Sequence, residues 1–135
     1  MKKRYLRLID DFESARIKRD DWHHLDHLIV GLVYIDLYGY ELALKKMRDG
    51  LQLLLRSFDL KEGEDPYNET MTVFWMKTLQ TFYTDNYSGN ILLLINTLRS
   101  NFPVDYHYRF YSRDLLNSPP AKAEYLPPDK LRRPE

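Results

Sequence analysis

Cysteine is absent from the 135-residue chain, which excludes disulfide bridges, thiolate metal sites and a cysteine nucleophile. A surplus of either charge is absent too, because 20 Lys and Arg residues balance 20 Asp and Glu residues. This balance argues against a nucleic-acid partner or an anionic membrane surface. The sequence therefore predicts a cytoplasmic protein without disulfides, and it leaves a homo-oligomer open.

Long apolar segments are missing as well. No run approaches the roughly 20 residues that a membrane-spanning helix requires, and the N-terminal stretch MKKRYLRLIDDFESARIKRD is too charged for a signal peptide. The sequence also lacks a nucleotide-binding glycine motif, a Walker sequence, a nucleophile elbow and an EF-hand loop. These absences predict a soluble protein outside the best-known motif-bearing classes.

Tyrosine, in contrast, is abundant, with 11 Tyr residues in a chain that is 14% aromatic. A tyrosine combines an apolar ring with a polar hydroxyl group, which suits the lining of a ligand pocket or an interface. The same property suits half-exposed seams between helices. The composition leaves both interpretations open.

Apolar side chains recur at helical spacing along most of the chain, and no strand pattern persists. The predicted helical segments are 2–18, 22–38, 40–60, 68–84 and 91–102, with one short helix near 112–117. We expect an all-α single domain, a bundle of four or five helices with an extended Pro-rich C-terminal tail packed on the body. Residues 1–19 would form a peripheral helix, residues 20–102 the bundle core and residues 103–135 the wrap and tail.

Three local features refine this expectation. Asp20 or Asp21 precedes the second helix, where an N-cap would stand, and Gly39 follows it at the position of a C-terminal glycine. Gly50 lies inside the third helix at a cost of about 1 kcal/mol relative to Ala. Such a glycine predicts the close approach of another backbone.

Three of the four histidines fall within five positions, in the stretch DDWHHLDHL. On a helix, His24 and His27 are neighbours one turn apart, at the edge of an apolar stripe that also carries Gly31 and Tyr34. The positive end of the helix dipole disfavours an imidazolium at this place, so the sequence predicts neutral rings that can bind a metal or accept a proton. The alternative is a partly buried helix start whose histidines form only structural hydrogen bonds.

A second polar patch opens the fourth helix in the stretch PYNETMT. Glu69 and Thr72 share a helical face, and we expect this helix to lie antiparallel to, or crossed against, the histidine helix. If the two helix starts meet, His24, His27 and Glu69 would form a set of two histidines and one carboxylate that suits Zn, Fe or Mn. The alternative is that Asn68 is an N-cap and Glu69 a carboxylate stabilised by the helix dipole.

Four motifs resemble those of a family of small, mostly bacterial, all-helical proteins of unknown function. The motifs read WHHLDHL, ALKKMRDG, YNETMTVFW and YSRDLLNSPPAKAEYLPPD, in order from Trp22 to Asp129. The resemblance implies that His24 and His27 are the motif histidines and that His23 is incidental. Where the family has a histidine before the motif Glu, this chain has Asn68, which is a poor ligand for Zn or Fe. That difference argues against a four-ligand metal site and leaves a three-ligand site or a metal-free pocket.

The stretch FYSRDLLNS offers Arg113 as an anchor for a carboxylate or phosphate. A structural alternative has Ser112 capping a short helix while Arg113 holds the tail through a salt bridge. His107 is predicted to be a surface or seam residue.

The leading functional hypothesis is a metal-dependent or His/Glu acid–base enzyme acting on a small molecule, although the sequence does not decide whether the protein is an enzyme. Catalysis would use His24, His27 and Glu69, which are also the proposed metal ligands. The alternatives are a non-catalytic module that binds a small ligand or a metal, and a structural or interaction protein. The expected ligand-binding residues are Tyr34, Tyr67, Asn68, Thr72 and Arg113.

Overall fold

The computed structural model describes residues 2–130, and within them the chain is helical and contains no strand. The predicted all-α class is confirmed, with more and shorter helices than the four or five expected. The α-helices are α1 Lys3–Glu13, α2 His24–Tyr38, α3 Tyr40–Ser57, α4 Glu69–Asn86, α5 Ile91–Ile95, α6 Leu98–Asn101, α7 Arg113–Leu116 and α8 Pro119–Ala123. Two short 3₁₀ turns occupy Arg19–Asp21 and Tyr106–Arg109. No helix within the described range has the length and apolar character needed to cross a membrane.

Helix α2 is the centre of the molecule, because every residue from Leu28 to Ile35 is buried. It contacts both α3 and α4, which also contact each other. The helix ends at Tyr38, and Gly39 follows with a φ of 78°, a left-handed value that favours glycine and lets α3 begin at the next residue. The predicted end of the second helix is therefore confirmed.

The predicted start of α2 is wrong. Asp20 and Asp21 belong to a 3₁₀ turn, and His23 occupies the N-cap position instead. The backbone N–H of His23 donates to the carboxylate of Asp26 at 3.0 Å. An acidic residue inside the first turn of α2 therefore satisfies the backbone N–H of the N-cap residue.

Helix α1 packs on the core through Tyr5, Ile9 and Phe12. A methyl group added at Gly50 would collide with the ring of Phe12. Gly50 in α3 therefore makes room for the ring of Phe12. The sequence predicted instead that another backbone would approach this glycine.

Helices α2 and α4 run in the same direction. Gly31 faces Met76 and Leu79, and farther along both helices the hydroxyl of Tyr83 donates to the carboxylate of Asp36 at 2.7 Å. The predicted antiparallel arrangement is wrong, because α3 makes the return between them. As a consequence, the N-terminal ends of α2 and α4 lie at the same end of the molecule.

The predicted single helix at 91–102 is divided into α5 and α6 around Asn96 and Thr97. The hydroxyl of Thr97 donates to the carbonyl of Leu94 at 3.0 Å, a local bond that competes with helical pairing. Helix α7 lies where a short helix was predicted. Helix α8 was not predicted; Ser118 caps it and Pro119 occupies its first position.

Residues after α8 lie along the body and are held there by side chains of the bundle. The hydroxyl of Thr70 donates to the carbonyl of Glu124 at 2.9 Å, and Tyr111 donates to the carbonyl of Leu126 at 2.6 Å. Asp129 accepts hydrogen bonds from the backbone and hydroxyl of Ser112. The predicted tail continues into residues 131–135, which lie outside the described residues.

Candidate functional site

His24 and His27 stand in the first turn of α2, and the structure gives them different environments. The Nε2 atom of His24 lies 3.0 Å from the carbonyl oxygen of Phe102, and its ring meets the indole of Trp75 edge-on at 5.0 Å. His24 therefore ties α2 to the chain that follows α6, as the structural interpretation of the histidine cluster expects.

His27, in contrast, has a buried Nε2 atom with no hydrogen-bond partner among the described residues. Its ring stacks on the indole of Trp22 with 5.7 Å between centroids. Burial, aided by the nearby His24, lowers the pKa of His27 to about 4. The prediction of a neutral ring is confirmed for His27. The main cause of the lowered pKa is desolvation, whereas the sequence analysis attributed it to the helix dipole.

His27 is also one of the residues that line a cavity of about 220 Å³. The cavity lies where the starts of α2 and α4 approach the second half of α3. Its walls are formed by Trp22, His27, Leu51, Leu55, Pro66, Tyr67, Asn68, Met71 and Thr72. Four residues assigned to the site from the sequence, His27, Tyr67, Asn68 and Thr72, thus line one cavity.

Glu69 is engaged by a neighbour that the sequence analysis missed. Arg48 binds both carboxylate oxygens, from Nε at 3.0 and 3.1 Å and from Nη2 at 2.8 Å, and the Tyr67 hydroxyl donates at 2.6 Å. Although burial opposes ionisation, the hydrogen bonds from Arg48 and Tyr67 keep the pKa of Glu69 below its usual value. Glu69 is therefore an ionised carboxylate whose oxygens are already occupied.

Asn68 is the N-cap of α4. Its side-chain oxygen accepts from the Met71 backbone at 3.0 Å, and its amide nitrogen donates to the carbonyl of Leu116 at 2.7 Å. The hydroxyl of Thr72 donates back to the Asn68 carbonyl at 3.1 Å. The capping alternative is confirmed, and Asn68 shapes the cavity wall while both ends of its amide are in use.

The set of His24, His27 and Glu69 receives no support as a metal centre. Within residues 2–130, no group of three or more His, Cys, Asp or Glu side chains is arranged to hold a metal ion. The physical reason is that His24 turns to Phe102 while Glu69 pairs with Arg48. The expected Zn, Fe or Mn ligand set is thus not assembled here.

Two other expected ligand-binding residues lie away from the His27 cavity. The hydroxyl of Tyr34 donates to Glu13 at 2.8 Å beside a separate, more open cleft. Arg113 is exposed, with its guanidinium 4.1 Å from the ring centre of Tyr108 and a hydrogen bond to the same residue at 3.1 Å. Ser112 caps α7 as the structural alternative expected, and its bond to Asp129 holds the tail in place of a salt bridge from Arg113.

His107 is buried, with 7% of its surface exposed, and its Nδ1 atom has no partner among the described residues. Its ring packs edge-on against Trp75 at 6.1 Å. Burial lowers the pKa of His107 to about 4, with His24 and Arg113 adding to the effect and Asp105 opposing it. In the sequence, burial of His107 is indicated only by its two aromatic neighbours, Tyr106 and Tyr108.

Comparison with known proteins returned no matching family model, no matching curated protein and no matching solved structure. The resemblance to the helical family stays a prediction that these comparisons do not test. The geometry of the site is consequently the basis for any functional statement.

Proposed function

We propose that the chain is a binding module for a small, single-ring organic molecule that occupies the cavity beside His27. The observation that carries the proposal concerns His27, a residue of the cavity lining whose buried Nε2 atom has no hydrogen-bond partner among the described residues. A buried polar atom without a hydrogen bond costs about 1–3 kcal/mol. A ligand that supplies this hydrogen bond would offset that cost.

The size and lining of the cavity support a ring-sized ligand. A volume of about 220 Å³ lies below the range of roughly 300–1,000 Å³ that is typical for drug-sized ligands. Leu51, Leu55 and Met71 supply apolar walls, while Tyr67 supplies an aromatic one. Such walls favour a flat, mostly apolar molecule with one polar group aimed at His27.

The polar groups around the cavity favour an uncharged ligand group at this point. His27 is neutral at physiological pH because its pKa is about 4. The Tyr67 hydroxyl uses its proton on Glu69, whose charge is matched by Arg48. A phenolic hydroxyl fits this environment well, since it can donate to one tautomer of His27 or accept from the other.

Binding is better supported than acid–base catalysis. A general base is most effective when its pKa is near the working pH, whereas burial moves the pKa of His27 far below neutrality. Glu69 is ionised and held by Arg48, so it is poorly placed to give or take a proton during a reaction.

The proposal is tested by titrating the ¹⁵N-labelled protein with 4-methylphenol and following the indole N–H of Trp22 by NMR. Trp22 lines the cavity, and Trp75 lies outside its lining and acts as the internal reference. We expect a dissociation constant of roughly 0.1–1 mM for so small a ligand, weakened about tenfold or more in His27→Leu. The matched control is His23→Ala, since the side chain of His23 is 68% exposed.

A Trp22 resonance that does not move at saturating 4-methylphenol would contradict the proposal. Equal binding by His27→Leu and the wild-type chain would contradict it as well, because the hydrogen bond to Nε2 is its basis. A folded His27→Leu variant, checked by circular dichroism, is required for the comparison.

A further inference from the structure

A second cavity adjoins the first. It has a volume of about 450 Å³ and shares Leu55, Pro66 and Tyr67 with the His27 cavity as common walls. Its other lining residues are Gln52, Arg56, Leu60, Glu64 and Asp65. An apolar, ring-sized cavity therefore lies beside a cavity lined by charged residues of both signs.

The charge of Glu64 is already matched within the protein. Arg19 binds both of its carboxylate oxygens, at 2.5 and 3.3 Å, and the Lys61 backbone donates at 3.0 Å. These hydrogen bonds, the one from Arg19 foremost, lower the pKa of Glu64 to about 2. Glu64 is thus a structural carboxylate at the rim of the second cavity.

Arg56 and Asp65 are different, because neither takes part in an ion pair among residues 2–130. Lys122 approaches Asp65 but donates to its backbone carbonyl at 3.0 Å. The second cavity therefore offers one cation and one carboxylate that are not matched by ion pairs within the described chain.

We propose, building on the proposed function, that the two cavities are adjacent subsites for a free aromatic amino acid. Its ring would occupy the His27 cavity, with a ring hydroxyl bonded to Nε2, and its zwitterionic group would lie between Arg56 and Asp65. Arg56 would bind the α-carboxylate and Asp65 the α-ammonium group. The shared wall of Pro66 and Tyr67 would face the atoms that join ring and head group.

The charges favour a zwitterion over a singly charged ligand. A simple amine would meet Asp65 and also be repelled by Arg56, and a simple carboxylate would meet Arg56 and be repelled by Asp65. Only a head group with both charges gains at both residues. The pair of charges would then select the zwitterionic head group, and the apolar cavity would hold the ring.

The experiment compares four probes that share one ring: 4-methylphenol, tyramine, 3-(4-hydroxyphenyl)propionate and L-tyrosine. Binding is measured by the Trp22 NMR titration. L-tyrosine is expected to bind about fivefold or more tightly than 4-methylphenol, and the two singly charged probes to gain much less. Arg56→Gln and Asp65→Asn should each remove the gain for L-tyrosine and leave 4-methylphenol binding unchanged. Arg99→Gln, an exposed arginine outside both cavities, is the matched control.

The outcomes separate this inference from the proposed function. If 4-methylphenol binds and L-tyrosine binds no more tightly, the zwitterion subsite is overturned while the ring cavity stands. If L-tyrosine gains affinity that Arg56→Gln and Asp65→Asn do not reduce, the assignment of these two residues is overturned. If none of the four probes moves Trp22, the proposed function fails, and this inference fails with it.

Discussion

Mild acid is expected to destabilise the protein through two histidines, the half-buried His27 and the buried His107. Each has a pKa of about 4 in the folded protein, against 6.5 for an unperturbed side chain. Between these values the unfolded chain binds more protons than the folded chain, so the free energy of unfolding falls as the pH falls. The contribution of each histidine is fully present above about pH 6.5 and is lost on the way down to about pH 4.

The size of the effect follows from the shift. A difference of one pKa unit corresponds to about 1.4 kcal/mol, so each histidine should remove roughly 2 kcal/mol of stability by about pH 5. The carboxylates with lowered pKa values, such as Glu64 and Glu69, act in the same direction but mainly below this range. The window between about pH 5 and 6.5 therefore isolates the histidines.

The assay is urea unfolding followed by circular dichroism at several pH values in that window. His27→Leu should show about half the wild-type slope of unfolding free energy against pH, since one of the two titrating groups is gone. A slope in His27→Leu equal to that of the wild-type chain would refute the argument that His27 is neutral in the folded protein.

Three further experiments test the framework around the cavity. Gly50→Ala should cost about 1–3 kcal/mol of unfolding free energy because the new methyl group meets the ring of Phe12. Combining it with Phe12→Leu should recover part of that loss. Full stability of Gly50→Ala alone would contradict the close packing of Gly50 on Phe12. Asn68→Ala should cost about 1–2 kcal/mol through the lost cap, measured by urea unfolding, and Asn68→Asp should restore much of that. A double-mutant cycle of Arg48→Ala and Glu69→Ala should give a coupling of about 1–2 kcal/mol, and additive effects would argue against the bidentate pair.

The helices could be predicted from the sequence because their signals are local. The apolar spacing of the long helices and the glycine after Tyr38 depend on residues within a few positions of each other. The N-cap of α2 was mispredicted because Asp is a common N-cap residue and two Asp residues precede the helix. In the structure His23 is the N-cap, and its backbone N–H donates to the carboxylate of Asp26 inside the helix.

The candidate site could be predicted only in part because its defining contacts join distant parts of the chain. His27, Tyr67, Asn68 and Thr72 were selected by residue type, and their common cavity depends on α2 and α4 running in the same direction. The pairing of Glu69 with Arg48 joins residues 21 positions apart in sequence. No spacing rule reveals such a partner, and that partner is what removes Glu69 from the predicted metal set.

The most direct test of the account is the ¹⁵N spectrum of histidine-labelled protein, recorded with and without 4-methylphenol. His27 is expected to stay neutral down to about pH 5, and its Nε2 resonance is expected to shift when 4-methylphenol binds, while the exposed His23 does not respond to the probe. A His27 that titrates with an ordinary histidine pKa, or an Nε2 resonance unchanged at saturating 4-methylphenol, would contradict the account.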